Sequence, residues 1–219
     1  MVRLLREKSA FESNLFGEET SFFIAAPVFP FVYGLVGDRN PRQQTAPGKK
    51  SEYAPLARDV FEGIREKGKL TKPQLAELLG GSLSNPALDR ALNELWSKLR
   101  ITRVDYTRDQ GAAWDALYRW APEPVRSGVN MSVPEALSAL LSQYLDTVVA
   151  AEQADVEDFF SHFVPRSRVR EAINALLSAR EFSFTTVGSR TMLQVAPRKQ
   201  VYDPARHRPI ARRPGAGRK

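Results

Sequence analysis

The sequence has 219 residues, of which 42% are hydrophobic and 26% are charged, a composition typical of a folded protein with one or two domains. It contains no cysteine, which excludes disulfide bonds, thiolate metal sites and cysteine nucleophiles and favours a cytoplasmic protein. The two histidines, His162 and His207, are far apart in the sequence, so we expect neither a metal site nor a cofactor.

The first feature along the chain is an apolar run at residues 22–36, FFIAAPVFPFVYGLV. It is too short to cross a bilayer as a helix, and Pro27 and Pro30 interrupt it. It also follows Glu18 and Glu19, unlike the apolar part of a signal peptide. We therefore expect residues 1–50 to form an apolar N-terminal segment that packs on the rest of the protein, with no membrane as a partner.

Residues 51–122 have the pattern of three helices followed by a β-hairpin. The first helix is predicted over residues 55–67. Thr71 and Gln74 have the spacing of a capping box at the start of the second helix, and Asn85 suits the start of the third. The third helix leads directly into a strand at 100–106, and a second strand is predicted to alternate as far as Trp120.

The same order of elements recurs 81 residues later. Ser132 and Glu135 have the capping-box spacing at the start of the second copy, which spans residues 135–197, and residues 123–134 are the predicted linker. The third helices align without a gap: Ala91, Leu92, Asn93 and Leu95 correspond to Ala172, Ile173, Asn174 and Leu176. A repeat of this kind governs the prediction of the whole fold.

Residues 198–219 form a basic tail. The tail has eight basic residues and one acid, whereas the rest of the chain has 24 of each, so the tail carries the entire net charge of +7. Its prolines and its PGAG stretch disfavour a helix, and we expect a disordered arm. Such an arm binds polyanions without reading sequence, through Arg206, Arg208, Arg212 and Arg213. The alternative is a solubilising terminus.

Three short helices followed by a hairpin are typical of the winged-helix form of the helix-turn-helix. The predicted fold class is therefore mostly α with small β-hairpins (α+β), built as two tandem winged helix-turn-helix domains. The stretches NPALDRALNELWSKLRITRVDYTRDQGAAWDALYRW (85–120), FPFVYGLVGDRNP (29–41) and FFSHF (159–163) resemble a tandem winged-helix DNA-binding family. It is the family related to the bacterial alkylpurine and interstrand-crosslink DNA glycosylases, and the resemblance covers about residues 50–197.

The resemblance implies that a catalytic member would have a glutamine–hydrophobic–glutamine or glutamine–hydrophobic–aspartate motif near its N-terminal end, within a larger chain. The nearest match is Gln153-Ala154-Asp155, which lies in the second copy, and Asp155 suits the first turn of a helix. The RQQT stretch at 42–45 lacks the spacing. We therefore predict no catalytic residues and a protein that is not an enzyme.

Candidate DNA-binding residues lie on the outward faces of the two third helices and on the second hairpin. Arg90 and Asn93 of the first copy can read base edges, but Asp89 and Glu94 give that face a mixed charge, which leaves a protein contact equally open. The second copy is more basic, and its candidates are Arg166, Arg168, Arg170, Asn174 and Arg190. Pairing of these arginines with Glu152, Glu157 or Asp158 is the alternative.

These patterns together predict a non-enzymatic, cytoplasmic protein that binds double-stranded DNA. A regulatory or repair-associated role would follow from the family resemblance. The alternatives are a protein-interaction scaffold, with another protein bound through the first domain, and a divergent alkylpurine DNA glycosylase. Trp96, Trp114 and Trp120 are interpreted mainly as packing residues, with base stacking as the lesser alternative.

Overall fold

The computed structural model describes residues 2–17, 21–43, 53–81 and 83–197. The predicted α+β class is confirmed, because helices dominate and the strands form three small antiparallel sheets. The predicted tail residues 198–219, with Arg206, Arg208, Arg212 and Arg213, lie outside the described residues. In the described part of the chain, no helix has both the length and the apolar character needed to cross a membrane.

The N-terminal segment consists of a short helix, a hairpin and a second helix. These elements are α1 (Val2–Arg6), β1 (Ala10–Ser13), β2 (Phe22–Ala25) and α2 (Phe29–Val36). The apolar run supplies buried residues to the core, among them Phe29, Val32 and Tyr33. Gly128, in a later helix of the chain, allows that helix to approach α2 closely. A Cβ on Gly128 would lie 2.8 Å from the carbonyl oxygen of Pro30 in α2.

Residues 53–116 form the first three-helix unit with its sheet. The elements are α3 (Pro55–Lys67), β3 (Leu70–Thr71), α4 (Lys72–Leu78), α5 (Asn85–Ser97), β4 (Ile101–Thr107) and β5 (Gly111–Ala116), and the sheet order is β3-β5-β4. The predicted capping box is present, with the Thr71 amide donating to Gln74 Oε1 at 2.9 Å. Helix α5 passes into β4 through Leu99, whose φ of 53° reverses the chain without a glycine.

The predicted second strand is shorter than expected. It ends at Ala116, and the residues predicted to continue it form a one-turn helix, α6 (Leu117–Trp120). The Leu117 amide donates to the Arg100 carbonyl, and the Arg119 guanidinium donates to the Ile64 and Arg65 carbonyls at the end of α3. The Arg119 contacts add donors to carbonyls in the last turn of α3, and together with the Leu117 contact they override the alternating pattern.

Residues 122–195 form the second three-helix unit and the helix before it. The elements are α7 (Pro122–Asn130), α8 (Val133–Val148), α9 (Gln153–Phe160), α10 (Arg166–Ser178), β6 (Phe182–Val187) and β7 (Arg190–Val195). The segment predicted as a linker is thus largely the helix α7, which packs on α2. The predicted Ser132–Glu135 capping box is present at the start of α8.

The buried residues form two clusters. One belongs to the first unit and contains Phe61, Leu92 and Trp114. The other joins the N-terminal segment to the second unit, so that Phe11 and Phe29 share a core with residues of α8 to α10. The N-terminal segment therefore packs mainly with the second unit, while β1 also contacts β4 of the first.

Candidate nucleic-acid interface

Two arginines of α10, Arg166 and Arg170, contact one buried carboxylate, Glu157 of α9. Arg166 Nε lies 2.9 Å from Glu157 Oε2, and Arg170 contacts both oxygens through Nη2 at 2.8 Å and Nε at 3.2 Å. Gln153 Nε2 donates to Glu157 Oε1 at 2.9 Å. These hydrogen bonds, that of Arg170 first, outweigh burial and lower the pKa of Glu157 to about 2. Glu157 therefore remains ionised and fixes both guanidinium groups.

Arg166 and Arg170, which are four residues apart, share a face of α10, whereas Arg168 points elsewhere. Arg168 pairs with Glu171 at 3.2 Å, and Arg190 of β7 pairs with Glu152 at 3.0 Å. Arg166 also pairs with Asp158. The sequence left open a pairing of these arginines with Glu152, Glu157 or Asp158. That pairing is present for all of them except Arg168. The arginine side chains nevertheless stay about half exposed or more, and Asn174 is exposed on the same helix as Arg166 and Arg170.

The corresponding helix of the first unit, α5, borders an open pocket of about 440 Å³. Arg90 is exposed and Asn93 is half-buried, and in the described part of the chain neither makes a hydrogen bond or an ion pair. The Glu94 carboxylate accepts a hydrogen bond from the Ala54 amide through Oε1 at 3.0 Å. The pocket is lined by Asn14, Leu15, Gly17, Arg90, Asn93, Glu94 and Ser97.

The acidic residues of α5 differ in what offsets their charge. Asp89 pairs with Lys72 at 2.7 Å, whereas Glu94 has no cationic partner among the described residues. The pocket therefore combines an unpaired cation, an unpaired carboxamide and an uncompensated carboxylate. Such a set of groups can hold a polar ligand and take up a proton.

A buried polar cluster fixes β1 beside α5 and the first sheet. The Glu12 carboxylate is 2% exposed, and it accepts hydrogen bonds from Arg103 Nη1 at 2.9 Å and from the Tyr106 hydroxyl at 2.8 Å. Trp96 Nε1 of α5 donates to the Glu12 carbonyl at 2.9 Å. Burial, with the hydrogen bond to Glu12, raises the pKa of Tyr106 to about 12. Glu12 was not among the predicted residues, because nothing near it in the sequence marks it as paired.

The tryptophans predicted mainly to pack are buried or partly buried. The Trp96 and Trp114 rings meet edge to face with centroids 5.2 Å apart, and the Arg103 guanidinium lies 4.2 Å from the centre of the Trp96 ring. Trp120 is partly buried against Phe11. Two of these indoles are thus closed off from a stacking base.

The two polar residues of the glutamine–hydrophobic–aspartate match have different surroundings. Gln153 is engaged by Glu157, whereas Asp155 is exposed in the first turn of α9. No group of three or more histidine, cysteine or acidic side chains that could hold a metal ion occurs in the ranges that the structure describes.

Comparison with known proteins gives one family. A family model described as DNA glycosylase AlkZ-like matches residues 2–216, which is nearly the whole chain. The curated proteins contain no match to this sequence.

Proposed function

Since the chain belongs to the AlkZ-like DNA glycosylase family, we propose that it binds double-stranded DNA and releases a damaged base from it. A glycosylase breaks the bond between a base and C1′ of its deoxyribose, and it must take the base out of the stack to reach that bond. The family match over residues 2–216 is the observation that carries the proposal, because it includes the N-terminal segment and both three-helix units.

The prediction that the protein is not an enzyme is wrong, since its family is one of DNA glycosylases. That prediction depended on the position of the nearest glutamine-based match, which lies in the second copy and not near the N-terminal end, and on the larger chain expected of a catalytic member. A catalytic site assembled from residues far apart in the sequence leaves no such motif. The alternative of a protein-interaction scaffold receives no support from the family match.

The two units are best explained as tandem winged helices, as the sequence predicted. Helices α5 and α10 begin at Asn85 and Arg166, 81 residues apart, and β4 and β6 begin at Ile101 and Phe182, with the same offset. Leu99 and Arg180, also 81 residues apart, both have positive φ at the passage from helix to strand. In this arrangement α5 and α10 are the helices that meet the DNA.

The α10 face supplies a rigid cationic pair for the DNA backbone. Glu157 is contacted by Nε and Nη2 of Arg170 and by Nε of Arg166, so each guanidinium keeps further N–H groups for a phosphate oxygen. Because the buried carboxylate already fixes both side chains, binding costs less side-chain entropy there than at a freely rotating arginine.

Replacing Arg170 with alanine should weaken binding to all duplex sequences more than replacing Arg168 does, and it should reduce the slope of log K against log salt by about 1. The reason is that Arg170 is held by Glu157, while Arg168 belongs to an exposed ion pair with Glu171 on another face of α10. Fluorescence anisotropy with one labelled duplex measures both variants. Equal losses of affinity in the two variants would show that the Arg166–Arg170 pair is not the element that binds DNA.

Removing the tail should change binding in a different way. A chain that ends at Pro197 loses eight basic residues, so it should bind all duplex sequences more weakly and with a flatter salt dependence. If the tail contacts four to six phosphates, the slope of log K against log salt should fall by about 4 to 5. An unchanged slope would make the tail a solubilising end.

Base release tests the proposal itself. Duplex DNA treated with dimethyl sulfate carries 7-methylguanine and 3-methyladenine, and the full chain should convert part of these sites to abasic sites that break in alkali. Untreated duplex of the same sequence is the control, and it should stay intact. Binding of both duplexes without any new alkali-labile sites would contradict the proposal.

A further inference from the structure

The pocket beside α5 has the features of a site that receives a base. Resting on the proposed function, we infer that this pocket takes the extruded alkylated purine and that Glu94 is the catalytic carboxylate. The pocket lies on the helix that meets DNA in a winged helix, and its volume of about 440 Å³ accommodates a nucleoside.

Two other pockets lack the groups that this chemistry needs. One, of about 310 Å³, is lined by apolar side chains such as Phe16 and Phe159 and holds no charged residue. Another, of about 410 Å³, contains Arg39, whose guanidinium already donates to four carbonyls of the fold, and it has no carboxylate. The α5 pocket combines a carboxylate with unpaired polar groups.

Glu94 is held in a way that suits catalysis. Its Oε1 accepts the Ala54 amide at 3.0 Å, which orients the group, and no described residue donates to its other oxygen. A purine alkylated at N3 or N7 is cationic, so it departs without an acid to protonate it. As the C1′–N bond breaks, its electron pair stays with the base and cancels the positive charge. Water adds to C1′ and passes its proton to Glu94, which returns it to solvent.

The other lining residues fit binding of the nucleotide. Asn93 and Arg90 lie on the same wall as Glu94, and the Asn93 carboxamide can pair with a purine edge while Arg90 contacts a phosphate. Across the pocket, Asn14 is 2% exposed, and no described residue pairs with its amide nitrogen or oxygen.

The test compares two isosteric changes in the full-length protein. Glu94→Gln keeps an oxygen that can accept from the Ala54 amide, and it should lower single-turnover release of methylated purines from dimethyl sulfate-treated duplex by about 100-fold or more. Affinity for the untreated duplex should change by about threefold or less. Glu66→Gln, an exposed glutamate of α3 outside the pocket lining, is the matched control and should release bases at the wild-type rate.

The outcomes separate this site from the function it rests on. If the wild-type protein and the Glu94→Gln variant release bases equally well, the proposed site is overturned and the proposed function still stands. A wild-type protein that releases no base would overturn both. If Glu94→Gln loses its folded state by circular dichroism, Asn93→Ala decides instead. A tenfold or greater loss of release supports the site, and full release overturns it.

Discussion

Replacing Arg103 with alanine is expected to lower the free energy of unfolding by about 3 to 5 kcal/mol. Arg103 donates to the buried Glu12 carboxylate at 2.9 Å, and its guanidinium stacks near the Trp96 and Trp114 rings at 4.2 and 4.9 Å from their centres. Without Arg103, the Glu12 carboxylate would remain buried, with Tyr106 as its one side-chain donor among the described residues. Urea denaturation monitored by circular dichroism measures the loss.

Two further variants show whether the buried charge is the cause. Arg3→Ala removes an exposed ion pair with Glu7 and should cost about 0.5 kcal/mol or less. Adding Glu12→Gln to the Arg103→Ala variant should recover part of the lost stability, because it removes the unpaired charge. If the loss of stability in the double variant equals the sum of the losses in the two single variants, this explanation is contradicted.

The second large effect is the pH dependence caused by Glu157. Its pKa in the folded protein is about 2, below the ordinary value of 4.5, so it contributes stability above pH 4.5 that is lost as the pH falls toward 2. The contribution at neutral pH should be about 2 to 3 kcal/mol. Glu157→Gln should remove it, so the wild-type and variant unfolding free energies should converge between pH 4.5 and 2.

Glu171→Gln is the control for that measurement. Glu171 pairs with Arg168 on the same helix, but both side chains are well exposed, so its loss should change stability by about 0.5 kcal/mol or less at any pH. If the Glu157→Gln and Glu171→Gln proteins lose stability alike, the buried cluster does not stabilise α10 as described.

The local signals in the sequence predicted most of the secondary structure. Capping boxes at Thr71 and Ser132 both form, and α5 begins at Asn85, where the sequence suggested a helix start. Such signals involve residues three or four positions apart, so the surrounding fold alters them little. The sequence pattern also indicated that Arg166 and Arg170 share a face, since that follows from the helical period alone.

Features that depend on distant contacts could not be predicted in this way. The alternation of Trp114, Tyr118 and Trp120 indicated a strand, but Arg119 instead reaches the carbonyls at the end of α3 and the chain turns into α6. Glu12 and Arg103 are 91 residues apart, and Asn14 meets α5 across a similar separation. The candidate pocket therefore depends on how the N-terminal hairpin packs against α5, and local sequence patterns do not predict that packing.

The central claim is that this chain releases bases from DNA, and direct identification of the released base tests it most closely. Full-length protein in excess over dimethyl sulfate-treated duplex should liberate free methylated purines, detected by mass spectrometry in the small-molecule fraction, in amounts equal to the abasic sites left in the strands. Spontaneous loss from the same duplex without protein sets the background. Release that stays at this background, with the duplex bound and the protein folded, would contradict the claim.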